Sequence, residues 1–104
     1  MPTTTLAAPT TLESALMPGG WTNFDFTLTP KAQEVFKKAV NLFGVAYTPL
    51  AFATQVVAGT NWCFLAKGTV VAPGASQLAA LLYIYEPLEG APYLTEIKQI
   101  YPGR

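Results

Sequence analysis

The sequence predicts an α+β domain, with one amphipathic helix packed on an antiparallel β-sheet of four to five strands. Three observations carry this expectation. One stretch, 30–43, places its apolar residues at the 3, 4, 7 spacing of a buried helix stripe. Everything after it reads as extended segments rich in Val, Tyr, Phe, Leu and Ile. Those segments are joined by short turn-forming links, and sequential strands with short links pair antiparallel. A single helix against such a sheet is an α+β layer arrangement.

Taken in order, residues 1–15 are rich in Thr, Ala and Pro, show no periodicity, and read as a flexible tail before a single domain spanning 16–104. Pro18-Gly19-Gly20 interrupts any regular element. Segment 21–28 alternates partly, through Phe24, Phe26 and Leu28, as a short strand or an extended lead-in does. Thr29 is placed as an N-cap and Pro30 as the first helical residue. Ala32, Val35, Phe36, Ala39, Val40 and Phe43 then form the buried stripe, and Gly44 is the expected stop.

Four strand segments follow. The first, 45–58, contains Pro49, which marks an edge, a bulge or a break because proline cannot donate to a ladder. The second, 62–71, is joined to it by Ala58-Gly59-Thr60-Asn61, a hairpin connection. Turn signals at 72–75 and 87–92 bound the third, 77–86, and the fourth, 93–101, ends before Pro102-Gly103. The Leu and Ala residues of 77–86 also suit a helix, but Tyr83-Ile84-Tyr85 and the flanking prolines favour a strand.

Composition narrows the function. The chain has 104 residues, six basic and six acidic side chains, one cysteine and no histidine. A chain of this length makes one domain and buries roughly two-thirds of its unfolded surface. A lone Cys63 makes no internal disulfide and reads as a small core or sheet residue. Without histidine there is no Ser-His-Asp triad, no Cys-His dyad and no ordinary Cys/His zinc site. No cofactor is expected. A balanced charge, with 12% charged residues, provides no electrostatic footprint for nucleic acid. No apolar run approaches the roughly 20 residues of a membrane span. The N-terminus lacks a basic n-region and an unbroken apolar h-region, so a cytoplasmic protein is expected, with secretion still open.

The most specific string is Gln55-Val56-Val57-Ala58-Gly59, followed by Thr60-Asn61 and the aromatic Trp62. It resembles the Q-x-V-x-G signature of the cystatin superfamily of cysteine protease inhibitors. Pro18-Gly19-Gly20 lies upstream of the helix, where cystatins place an N-terminal glycine. Thr29-Pro30-Lys31-Ala32-Gln33-Glu34-Val35 is similar to the helix start of the stefin (type 1) branch, and the lack of disulfides resembles stefins as well. The likeness runs from about Met17 to Tyr101 and includes the order of elements.

The resemblance implies a five-stranded antiparallel sheet wrapped around the helix. It also implies a three-part wedge that plugs the active-site cleft of papain-like, cathepsin-type proteases without presenting a scissile bond. Here the parts are Met17, Pro18, Gly19 and Gly20; Gln55, Val56, Val57, Ala58 and Gly59; and the second hairpin, 87–92, led by Pro87 and Leu88. That hairpin lacks the Pro-Trp pair of secreted cystatins, and the tail before Met17 is longer than a stefin normally has.

Each piece also has a reading of its own. Gly19 or Gly20 lets the chain lie against another backbone. Leu16, Met17 and Pro18 suit apolar pockets, and Leu88 is an apolar anchor. Val56, Val57 and Ala58 have little rotamer entropy to lose on docking. Trp62 is expected half-buried beside the hairpin. A bulky residue at Gly59 or Gly20 is expected to weaken inhibition with the fold intact. The long tail should hinder binding to exopeptidases.

A non-inhibitory binding module on the same scaffold is the alternative. An enzyme ranks last, because Asp25 is the only aspartate and no carboxylate pair has an obvious shared pocket. A monomer is expected. Opening of the 55–59 hairpin would exchange elements between two chains and give a domain-swapped dimer without inhibitory activity.

Overall fold

The computed structural model describes residues 20–74 and 76–103. Met17, Pro18 and Gly19 and the 1–15 tail lie outside the described residues. Among the described residues one helix, α1 (Pro30–Ala39), precedes four strands: β1 (Val45–Val57), β2 (Gly59–Val70), β3 (Gln77–Glu86) and β4 (Tyr93–Ile100). The strands form an antiparallel meander in the order β1-β2-β3-β4. Segment 21–25 runs along the free side of β1 as an extended lead-in. It is tied by isolated bridges Trp21↔Gln55 and Asp25↔Phe52 and is not a full fifth strand. Phe52 and Asp25 exchange backbone bonds of 2.8 and 3.0 Å, and the Thr22 N–H donates to the Thr54 carbonyl at 2.9 Å.

The helix starts where its sequence says. The Thr29 side chain accepts from the Ala32 N–H at 3.0 Å, and Pro30 occupies the first turn, where no N–H is needed. It stops four residues earlier than the stripe suggests. Val40 leaves helical geometry (φ −104°, ψ 94°), and the Asn41 side chain donates to the Lys38 carbonyl at 3.0 Å. Asparagine competes for backbone groups in this way, which favours helix ends over helix interiors. Phe43 is consequently fully exposed instead of buried. Gly44, at φ 91°, turns the chain into β1, and its carbonyl accepts from the Val71 N–H at 2.8 Å.

Ala32, Val35 and Phe36 of the helix pack on Trp62, Phe64, Ala66, Ala80, Leu82 and Ile84, which alternate along β2 and β3 and so share one sheet face. Phe64 sits at the centre, edge-on to Phe36 (5.0 Å between ring centres) and stacked on Trp62 (5.8 Å). Trp62 is 6% exposed, deeper than half-buried, because its strand position points it under the helix. At Pro49 the β1–β2 register slips by one residue, leaving Leu50 as a bulge. Cys63 lies on the opposite sheet face, buried with Ala51 and Ala53. No described helix is long and apolar enough to cross a membrane.

Candidate functional site

Strand register brings the sequence-predicted pieces to one end of the sheet. β1 and β2 pair as far as Val57↔Gly59, which leaves Ala58 alone at the hairpin tip. β2 and β3 pair from Thr60↔Glu86, so β3 ends beside that tip. β3 and β4 pair from Tyr85↔Tyr93, so the 87–92 loop leaves from the same end. The Trp21↔Gln55 bridge sets Gly20 and Trp21 next to Gln55. Gly20, Gln55, Val56, Val57, Ala58, Gly59, Pro87 and Leu88 are thus neighbours in one region. Met17, Pro18 and Gly19, which precede Gly20 in the chain, lie outside the described residues.

Gly59 is the keystone of this end. It is buried, with φ 103°. A Cβ there would lie 2.4 Å from the Glu86 carbonyl oxygen, 2.9 Å from the Tyr85 hydroxyl and 3.1 Å from Pro87 Cα. The absence of a side chain is what lets the first hairpin seat against the root of the second. The Tyr85 hydroxyl donates to the Ala58 carbonyl and ties the tip down. Tyr85 also packs edge-on against Tyr93, 5.8 Å between ring centres. Across the hairpin the Asn61 amide donates to Gln55 Oε1 at 2.8 Å. On this braced frame Val56, Val57 and Leu88 remain open to solvent, at 59%, 41% and 80% exposure. Tyr85 was not legible as a bracing residue: Tyr-Ile-Tyr signals a strand, and nothing local links it to Ala58.

Beneath the loops Glu86 joins sheet to helix. Its Oε2 accepts from Lys31 Nζ at 2.7 Å, and its Oε1 accepts from the Trp62 indole N–H at 3.1 Å. The Lys31 hydrogen bond is the main cause holding the Glu86 carboxyl below its ordinary range, with Trp62 adding to it, while Lys31 is raised by the same bond. A carboxyl lowered by folding contributes stability above its unfolded pKa, and that contribution is lost as pH falls through the folded value. A lysine raised by folding contributes below its unfolded pKa and loses its share as pH rises through the folded value. The pair therefore supports the fold from mildly acidic to alkaline pH. We expect the urea midpoint, followed by tryptophan fluorescence, to fall on acidification below about pH 4.5. Glu86→Gln should show a shallower acid limb, starting from a lower midpoint at neutral pH.

The outer sheet face carries a cavity of about 220 Å³ lined by Trp21, Thr22, Phe24, Ala53, Cys63, Leu81 and Tyr83. Burial pushes the Cys63 thiol up, only partly opposed by the Tyr83 hydroxyl, which favours the protonated sulfur. Among the described residues no group of three His, Cys, Asp or Glu side chains is placed to hold a metal ion. The braced end presents apolar side chains, Val56, Val57 and Leu88, to solvent. No protein-family model matches this chain, and no curated protein matches it.

Proposed function

We propose that the protein is a reversible, tight-binding, competitive inhibitor of papain-like cysteine proteases, built on a cystatin-like scaffold and working in the cytoplasm. The observation that carries the reading is the convergence of Gly20, the Gln55–Gly59 hairpin and the Pro87-Leu88 loop at one end of the sheet, with Val56, Val57 and Leu88 exposed there. Gln55 to Gly59 is the string whose spacing is similar to the cystatin signature. The lead-in bridged to β1 is compatible with that scaffold. A pre-braced wedge loses little conformational entropy on docking, so tight binding is reachable from an interface of roughly 1,600 Å². Val56, Val57 and Leu88 enter apolar subsites.

The alternative, a non-inhibitory binding module, draws on one feature: the seat of Gly59 against Glu86 serves the fold itself, so the glycine has a purpose without a protease. Competition separates the two readings. If the wedge fills the cleft, a covalent active-site ligand on papain abolishes binding. Unchanged binding to the blocked enzyme favours the module.

A further inference from the structure

Among the described residues β4 has a neighbour, β3, on one side only. Its other edge has no strand partner among them and leaves a row of backbone donors and acceptors, a ready template for another strand. We propose that a second copy of this chain pairs antiparallel with this edge, around a two-fold axis at Ile97, to form a continuous eight-stranded sheet.

The argument is charge complementarity in one register. Glu96 and Lys98 flank Ile97 and stand opposite Tyr83 and Leu81 on the outer sheet face, next to the free edge. Both are exposed, and neither makes an ion pair among the described residues. With Ile97 opposite Ile97 of the second copy, Glu96 falls opposite Lys98 and Lys98 opposite Glu96, so the axis creates two opposite-charge pairs at once. The ladder to β3 slips by one residue at Thr95. With the same bulge kept on the outer side, Tyr93 comes opposite Ile100, both exposed and both on the outer face. Pro92 and Pro102, which cannot donate to a ladder, bound the paired segment at either end.

Competing registers are worse. Moving the axis one residue along the strand, to Glu96 or Lys98, keeps both helices on one side of the sheet but sets Glu96 opposite Glu96 or Lys98 opposite Lys98, and like charges directly opposite are destabilising. Moving the axis two residues keeps the helices together but loses both opposite-charge pairs, and a one-residue slip of the pairing puts the two helices on opposite faces. Because the strands run antiparallel, the two loop ends point away from each other. On the inhibitory reading the dimer would hold two proteases, but the pairing itself does not depend on that reading.

Sedimentation velocity on the full chain, from micromolar to millimolar concentration, tests the proposal. The wild type should shift with concentration toward twice its 11.1 kDa mass. Glu96→Lys and Lys98→Glu alone should each stay monomeric, since each sets like charges opposite. The double variant E96K/K98E should dimerise again, and an equimolar mixture of the two single variants should form a heterodimer. Circular dichroism of the exposed-site variants confirms that they are folded. A wild type that stays monomeric at millimolar concentration, or a dimer indifferent to all these charges, overturns the proposal.

Discussion

Gly59→Ala is expected to cost about 2–5 kcal/mol of stability, the sum of a backbone conformation that alanine resists and a steric clash. The φ of 103° lies where side-chain-bearing residues are rarely found. The new methyl would meet the Glu86 carbonyl oxygen at 2.4 Å, and backbone held in a ladder has little room to retreat. Small domains are stable by only about 5–15 kcal/mol, so a loss of this size is a large share of the total. At about 4–8 °C per kcal/mol for a domain of this length, the melting temperature should drop by roughly 10 °C or more. Differential scanning calorimetry reads the shift directly, and an unchanged melting temperature would mean that the two loops do not seat as described. The sequence reading has a bulky residue at this position weakening inhibition with the fold intact. The buried seat of Gly59 makes stability the first casualty, and weaker inhibition follows from a displaced wedge.

Val56→Glu combined with Leu88→Glu should do the opposite: leave stability nearly alone and remove inhibition. Both side chains are more than half exposed, one near the end of β1 beside the hairpin tip and the other in the 87–92 loop. Surface changes of this kind usually move stability by no more than about 0.5 kcal/mol. At an interface each would place a charge where an apolar group should be desolvated. A binding hot spot is worth about 2 kcal/mol or more, which is roughly 30-fold in affinity. Two such losses that add give an inhibition constant against papain raised roughly a thousandfold. Inhibition kinetics, paired with a melting curve within a degree or two of wild type, check this prediction. Full potency in the double variant would remove the two loops from the binding surface.

The contrast between these two sites shows what a linear sequence carries. Thr29-Pro30 placed the helix start correctly, because a cap and a first-turn proline act within a few residues. Pro49 marks an edge, a bulge or a break for a similarly local reason, and the structure has a bulge there. The helix end was misread because the apolar stripe continues through Val40 to Phe43, while the chain obeys the Asn41 side chain and the entry into β1. The depth of Trp62 depends on where the helix lands, which alternation along one strand does not encode. At the candidate site the motif Gln55–Gly59 was legible. Its contact with Glu86 and Pro87 was not, since it joins residues brought together only by the β2–β3 register. The Lys31–Glu86–Trp62 link spans the helix start and two strands and left no local trace.

The most direct measurement is a titration of active-site-calibrated papain with the full chain, following residual activity and then recovering the chain. The account predicts a stoichiometric fall in activity that excess substrate slows, with the chain recovered uncleaved after dissociation. Papain that keeps full activity in a micromolar excess of the protein, or that cuts the Gln55–Gly59 hairpin as an ordinary substrate, would contradict it.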